Sequence, residues 1–149
     1  MSQPLPSAAA LFDVKGKVAI VTGASGAFGM VAARVLAQAG AKLVLAAGKQ
    51  SELDAIGKEC MSLGADVEQV NRRPGTEADC EAIMDAAVKR FGGVDILVVA
   101  SGLNDVSMIV DMSPERFEKV MDGNVTGAWL VCRAFGKRAI PQGRGGKVV

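Results

Sequence analysis

A glycine loop between a buried strand and an amphipathic helix is the feature that most restricts the fold of this chain. The short apolar run Val18-Ala19-Ile20-Val21 predicts a strand that is buried on both faces. It leads into Thr22-Gly23-Ala24-Ser25-Gly26-Ala27-Phe28-Gly29, after which apolar residues recur at helical spacing as far as Ala39. Gly40 then ends the predicted helix. This order of strand, loop and helix is typical of a parallel sheet crossed by helices.

The rest of the chain repeats the alternation. Further strands are predicted at 43–45, 67–71 and 94–100, and helices at 51–62, 80–91 and from Ser113 to about Ala139. The last helix is expected to be kinked near Gly123, and Lys147-Val148-Val149 begins a fifth strand. The fold class is therefore α/β, a Rossmann-type doubly wound parallel sheet, truncated after the start of the fifth strand.

Two prolines, Pro4 and Pro6, make residues 1–12 a predicted flexible N-terminal arm. Residues 13–149 then form one incomplete domain, because no linker divides them.

Composition excludes several classes of partner. The net charge of +1 gives no basic field for nucleic acid or an anionic membrane. Cys60, Cys80 and Cys132 are widely spaced and the chain has no histidine, so neither a metal site nor a disulfide framework is expected. No apolar run approaches the ~20 residues of a membrane span, and no signal-peptide pattern is present. A cytoplasmic protein is the expectation.

The glycine loop lies where such sheets bind ligands, at the carboxyl end of the first strand. Gly23 allows a tight turn, Gly26 lets a pyrophosphate approach the backbone, and Gly29 permits close packing of helix on strand. The helix start offers free N–H groups to the phosphates. No Lys-Ser or Lys-Thr ends the loop, which disfavours a nucleoside-triphosphate site, and the alternative is an empty structural turn. The candidate cofactor-binding residues here are Gly23, Ser25, Gly26, Ala27, Phe28 and Gly29.

From Val14 to its last residue the chain resembles the classical short-chain dehydrogenase/reductases. The motifs that carry the resemblance are the glycine loop, strand 94–99, Ser113-Pro114-Glu115-Arg116-Phe117 and Asn124-Val125-Thr126-Gly127. The resemblance implies that Asn124 belongs to a Ser-Tyr-Lys-Asn catalytic group, in which it holds a helix kink and a water of the proton relay. The alternative is a polar residue that only satisfies the kinked helix.

Three departures from the family pattern stand out. Ala27 replaces the middle glycine, so that Gly23, Gly26 and Gly29 have the spacing of extended members such as sugar-nucleotide epimerases. Val99-Ala100-Ser101-Gly102 stands where the family has Asn-Asn-Ala-Gly, and Ala100 and Gly102 are retained as cofactor-contact candidates. Arg72 or Arg73 occupies the place of an aspartate that faces adenine, and its guanidinium either stacks on the base or is solvated.

The end of the second strand bears on the choice of cofactor. An acid usually holds the ribose hydroxyls of NAD there, but this chain has Ala46-Ala47-Gly48-Lys49. Nothing in that stretch repels a 2′-phosphate, and Lys49 either meets it or is a solvated loop lysine. NADP is therefore favoured slightly over NAD. The missing acid also argues against an S-adenosylmethionine methyltransferase.

The resemblance implies that residues 13–149 are an incomplete nicotinamide-dinucleotide-binding domain. They would be the N-terminal cofactor-binding portion of an NAD(P)-dependent oxidoreductase that moves hydride between the nicotinamide and a small alcohol or carbonyl substrate. The chain contains no tyrosine, so the 149 residues alone are predicted to be inactive. Alternatives are a non-catalytic nucleotide-binding or regulatory module and an extended-type epimerase or dehydratase.

The resemblance also implies a homodimer or homotetramer at full length, paired through the helix around Asn124. Along that helix, Val125, Ala128, Cys132 and Phe135 form one predicted apolar strip, and Trp129 and Val131 form a second.

Overall fold

A computed structural model describes residues 7–149 as a single five-stranded sheet with its covering helices. The strand order is β3-β2-β1-β4-β5, and every neighbouring pair is parallel. This arrangement confirms the predicted doubly wound α/β fold. The strands are β1 (Val18–Thr22), β2 (Lys42–Ala46), β3 (Val67–Val70), β4 (Ile96–Val99) and β5 (Lys147–Val148).

Helices cover both faces of the sheet. They are α1 (Ala8–Leu11), α2 (Ala27–Gln38), α3 (Gln50–Ser62), α4 (Glu77–Phe91), α5 (Pro114–Met121) and α6 (Gly127–Gln142). Helices α2 and α3 pack on one face, and α4 and α6 pack on the other.

Strand β1 lies at the centre of the core. Val18 and Ile20 face α4 and α6, while Ala19 and Val21 face α2 and α3. All five residues of β1 are buried, because helices cover the sheet on both sides. Ile20 is in register with Val44 of β2 and Leu97 of β4, which places the glycine loop between the ends of those two strands.

The predicted kink near Gly123 is confirmed as a π-helical segment, Asp122–Thr126, that joins α5 to α6. A π turn adds a residue to the helical repeat and so rotates the helix beyond it. The two predicted apolar strips are wrong in part: Val125 and Trp129 are exposed, whereas Val131, which was grouped with Trp129, is buried. Trp129 and Val131 are two residues apart in regular helix, and such residues do not share a face. The buried face of α6 consists instead of Gly127, Val131, Ala134, Phe135 and Ala139.

Strand β4 is shorter at both ends than the predicted 94–100. Val94 precedes it, and its backbone is bonded to the side chain of Gln142, which accepts from the Val94 N–H at 2.8 Å and donates to the Val94 carbonyl at 2.6 Å. The Gln142 side chain thus makes the two backbone hydrogen bonds at Val94 that a neighbouring strand would otherwise make.

Part of the predicted N-terminal arm is helical. Ala8–Leu11 form a single turn, and the Ser7 hydroxyl accepts from the N–H of Ala10. Residues 1–6 of the predicted arm lie outside the described residues.

Candidate functional site

A cleft of about 460 Å³ opens at the carboxyl ends of β1, β2 and β4. This is the edge of a doubly wound sheet at which ligands bind. Residues that line it include Gly23, Ser25, Gly26, Ala47, Gly48, Lys49, Glu52, Arg73, Pro74, Gly75, Ala100, Ser101, Gly102, Leu103, Lys119 and Gly123.

The loop and the end of β4 approach each other so closely that position 23 has no room for a side chain. The φ angle of Gly23 is +62°, a conformation that residues with a side chain rarely adopt. A Cβ on Gly23 would lie 2.5 Å from the carbonyl oxygen of Ala100 and 2.7 Å from Cα of Ser101. The first glycine of the loop therefore serves the fold as well as the turn.

Gly29 and Gly26 differ in what surrounds them. A Cβ on Gly29 would lie 2.7 Å from the carbonyl carbon of Gly23 and 3.0 Å from Cα of Ala24, so helix α2 packs directly on the loop. A Cβ on Gly26 would meet only the carbonyl oxygen of Gly23, at 3.2 Å. This contact is tight, but beyond its chain neighbours Gly26 has no other atom within 4 Å of that position, so it leaves room for a ligand to approach the loop backbone from the cleft.

The amino end of α2 is suited to an anion. The helix begins at Ala27, and within the described part of the chain no side chain caps it and no acid lies in its first turn. Its first N–H groups therefore remain available to a ligand. Three predicted cofactor residues, Ala27, Phe28 and Gly29, lie outside the cleft lining, and Phe28 is 86% exposed. Only the backbone of these residues is positioned for the predicted role.

Lys49, a predicted cofactor contact, lines the cleft, but its ammonium group is already paired. Lys49 Nζ lies 2.9 Å from Oε1 of Glu52, and the Ser25 hydroxyl donates to Oε2 of the same carboxylate at 3.0 Å. The hydrogen bonds from Lys49 and Ser25 lower the pKa of Glu52 below its usual value. Glu52, which was not among the predicted site residues, is thus ionised at neutral pH and offsets the charge of Lys49.

The two arginines that follow β3 have different surroundings. Arg72 forms an ion pair with Asp79 of α4 at 2.9 Å. Arg73 lines the cleft, and its side chain lies across Gly48, so that a Cβ on Gly48 would come within 3.0 Å of the Arg73 Cδ. Of the two candidates that the sequence left open, Arg73 is the one beside the site.

A hydroxyl pair links the ends of β1 and β4. The Thr22 hydroxyl is buried, lies 3.3 Å from the carbonyl oxygen of Val98 and is 3.0 Å from the Ser101 hydroxyl. Ser101 thus supplies a polar link in the stretch where the family's two asparagines are missing. The sequence signal for it was a serine directly after a buried strand. Ala100 and Gly102, both predicted contacts, line the cleft on either side of it.

Asn124 lies in the π-helical segment and fastens the loop that follows β4. Its amide donates to the Leu103 carbonyl and accepts from the Leu103 N–H, both at 2.8 Å. A Cβ on Gly102 would lie 2.7 Å from Asn124 Oδ1, so Gly102 makes room for this amide. Asn124 does not itself line the cleft, but Leu103 does.

Two further findings concern residues 7–149 only. No three histidine, cysteine, aspartate or glutamate side chains in this range come together in a way that could hold a metal ion. None of the helices in this range has both the length and the apolarity that a membrane crossing requires.

Comparison with known proteins identifies relatives of this arrangement. Residues 17–149 match the family described as short chain dehydrogenase. An uncharacterized oxidoreductase of Mycobacterium tuberculosis H37Rv is 44% identical over 153 residues, which cover all of this chain and 55% of that protein. The 2-dehydro-3-deoxy-D-gluconate 5-dehydrogenase of Escherichia coli K12 is 33% identical over 143 residues, covering 93% of this chain and 54% of the enzyme. The chain spans about half the length of the curated relatives that it matches.

Solved structures show the same likeness. A short-chain type dehydrogenase/reductase from Mycobacterium marinum superposes with a TM-score of 0.91 at 31% identity, over 96% of this chain and 58% of that one. A short chain dehydrogenase/reductase from Burkholderia phymatum, solved in complex with NAD, gives a TM-score of 0.87 at 30% identity, over 92% of this chain and 49% of that one.

Proposed function

This chain belongs to the short chain dehydrogenase family, and from that premise we propose that it is the cofactor-binding portion of an NAD(P)-dependent oxidoreductase acting on a small alcohol or carbonyl compound. The observation that carries the proposal is the open space at Gly26 beside the uncapped start of α2, at the carboxyl edge of the sheet. The structure of the Burkholderia phymatum relative with NAD supports the same class of cofactor.

The residues present fit a dinucleotide. The N–H groups at the start of α2 and the open space at Gly26 suit a pyrophosphate, which carries negative charge and needs close backbone approach. The wall formed by Ala47, Gly48 and Arg73 suits the adenosine end. Ala100 and Gly102 line the part of the cleft that leads from β4 toward α5. When bound, the nicotinamide supplies hydride transfer.

Asn124 contributes through its contact with Leu103. By holding both backbone groups of Leu103, it sets the wall of the cleft beside Ala100 and Gly102. The chain has no tyrosine, and an amide neither gives nor takes a proton near neutral pH. We therefore assign Asn124 a positioning role and propose that the 149 residues alone bind cofactor without turning over substrate. The proton relay that the family resemblance implies for Asn124 then requires residues that these 149 do not include.

For the cofactor itself we propose NADP in preference to NAD. Ala47 and Gly48 place no carboxylate at the end of β2, and Lys49 and Arg73 both line that wall. The carboxylate of Glu52 offsets one of these two charges. A modest preference is the expected result, because exposed charge pairs contribute at most ~1 kcal/mol each.

Cofactor titration of the protein purified at its natural length tests the proposal. NADPH and NADH binding is followed by cofactor fluorescence, for wild type and for Gly26→Val. We expect binding of both by wild type, tighter for NADPH, and a loss of at least about tenfold in Gly26→Val because the valine fills the open space. Gly136→Ala is the matched control, since a Cβ there meets only Cδ1 of Ile140, at 3.9 Å. A folded protein that binds neither cofactor at millimolar concentration contradicts the proposal.

Two alternatives predict different results in the same titration and in assays. A regulatory module would bind cofactor and show no turnover even at natural length. An extended-type epimerase would turn over its substrate without net change in NADPH absorbance. The epimerase alternative is supported by the spacing of Gly23, Gly26 and Gly29, which is that of extended members.

A further inference from the structure

The two residues that follow β2 have no side chain that can reach a ligand in the cleft. Ala47 is buried, and Gly48 follows it. The space that a side chain at position 48 would take is filled from elsewhere. A Cβ on Gly48 would come within 3.0 Å of Cδ and 3.1 Å of Cγ of Arg73, and closer still to Nε.

Arg73 is brought there by the register of β2 and β3. Ala46 is in register with Val70, and the Ala47 N–H donates to the Val70 carbonyl at 3.3 Å, so the two segments leave the sheet side by side. Tight turns follow, in which the N–H of Arg72 donates to the Val70 carbonyl and the N–H of Gly75 donates to the Arg73 carbonyl, both at 2.8 Å. The backbone of Arg73 is therefore held, although its side chain is exposed.

The other cations near this end of the cleft already have partners. Lys49 is paired with Glu52, and Arg72 is paired with Asp79. For Arg73, no carboxylate of residues 7–149 lies within 4 Å of the guanidinium nitrogens. Glu52 is near enough only for Arg73 to lower its pKa through space. An anionic ligand here would therefore compete for Lys49 but not for Arg73.

We propose that Arg73, lying across Gly48, is the residue that distinguishes a 2′-phosphorylated adenosine ribose from an unphosphorylated one, and that Lys49 is secondary. The inference rests on the proposed binding of a nicotinamide dinucleotide in this cleft. A guanidinium presents two parallel N–H donors that match the oxygens of a phosphate, whereas an ammonium acts as a point charge. Gly48 is the positioning residue, because any side chain there would displace the arginine.

Two small probes isolate the contact without the nicotinamide. Adenosine 2′,5′-bisphosphate and adenosine 5′-monophosphate differ only in the 2′-phosphate, so the ratio of their dissociation constants measures recognition of that group. Calorimetric titrations use wild type, Arg73→Ala, Arg73→Lys, Gly48→Ala and, for the competing cation, Lys49→Ala, each in the protein at its natural length.

We expect Arg73→Ala to weaken bisphosphate binding about fivefold, as for the loss of one exposed charge pair, and monophosphate binding less than about twofold. Arg73→Lys should recover part of the loss. Gly48→Ala should also weaken bisphosphate binding more than monophosphate binding. Its Cβ would displace the flexible Arg73 side chain and would not press on backbone atoms. Lys49→Ala should change either constant less than about threefold.

Three results would overturn the inference. The first is an unchanged ratio in Arg73→Ala together with a large loss in Lys49→Ala, which makes Lys49 the reader of the phosphate. The second is an equal loss of both probes in Arg73→Ala, which indicates stacking on adenine. The third is a folded wild type that binds neither probe, which removes the proposed function along with the inference. The first two leave the proposed function intact.

Discussion

The amide of Asn124 holds Leu103 by both of its backbone groups, donating to the carbonyl and accepting from the N–H at 2.8 Å each. The pair joins the π-helical segment to the loop after β4, two elements that share no regular hydrogen bonding. Gly102, next to Leu103, leaves the space that this amide occupies. One wall of the cleft therefore depends on a residue that does not line it.

Replacing Asn124 by alanine should destabilise the protein by about 1–2 kcal/mol. The variant loses two hydrogen bonds, each with a net contribution of ~0.5–1.5 kcal/mol. Water can bond the freed backbone groups of Leu103 at this exposed position, which reduces the loss. The free energy of unfolding in urea measures the effect. Asn104→Ala is the control: that exposed asparagine lies in the same loop and makes no side-chain hydrogen bond to the described residues. Equal stability of the two variants would contradict the structural role of Asn124.

Gly23→Ala should cost more stability than a positive φ angle alone explains. An alanine at φ +62° is strained by ~1–2 kcal/mol, and its Cβ would also press on backbone atoms of Ala100 and Ser101. Gly16→Ala isolates the first contribution, because Gly16 has φ +72° and nothing within 4 Å of a Cβ. We expect Gly23→Ala to lose at least ~2 kcal/mol more than Gly16→Ala in thermal or urea unfolding. Similar losses would show that the loop can move away from β4.

The Cys80 thiol should stay protonated and unreactive in the folded protein. Burial, reinforced by the nearby carboxylate of Asp79, raises its pKa to about 11. The unfolded thiol ionises near its ordinary pKa of about 8.5, so the unfolded state loses this proton first as the pH rises. Its contribution to stability is therefore fully present below pH ~8.5 and decreases above it.

Two measurements check this prediction. At pH ~8, thiol labelling should modify the partly buried Cys132 well before Cys80 and Cys60, which are buried in the core. Urea midpoints between pH ~8 and ~10 should fall more steeply in wild type than in Cys80→Ala. Rapid labelling of Cys80 under native conditions would contradict the burial that raises its pKa.

Self-association is expected to involve the exposed face of the helix that contains the π turn. Trp129 is 58% exposed and Val125, one turn before it, is 53% exposed. Trp129→Glu should lower the molar mass measured by light scattering at micromolar concentration, because a buried charge in an interface is costly. Val31→Glu is the control, since Val31 is 56% exposed on α2, on the opposite face of the sheet. A wild type with the mass of a monomer would contradict the expected self-association, and an unchanged oligomeric mass in Trp129→Glu would contradict the role of this face.

Local sequence patterns determined the order of the elements, the burial of β1, the glycine loop and the position of the kink near Gly123. Each of these depends on residues that are neighbours in the chain: an apolar run, a helical repeat, or a residue type that a turn demands. Such patterns can be read from the sequence without knowing which elements pack together. The same reasoning failed for α6, where it grouped Trp129 with Val131, although residues two apart in a helix lie on different faces and only Val131 is buried.

Only the tertiary structure decided which side chains meet in the cleft. Arg73 reaches Gly48 through the register of β2 and β3, Ser25 of the glycine loop bonds Glu52 of α3, and Asn124 bonds Leu103 of the loop after β4. Most of these contacts join segments that are distant in sequence, and strand register and helix packing set their distances. Lys49 has its carboxylate partner three residues along the chain, whereas the position of Arg73 in the cleft, across Gly48, depends on the packing of two neighbouring strands.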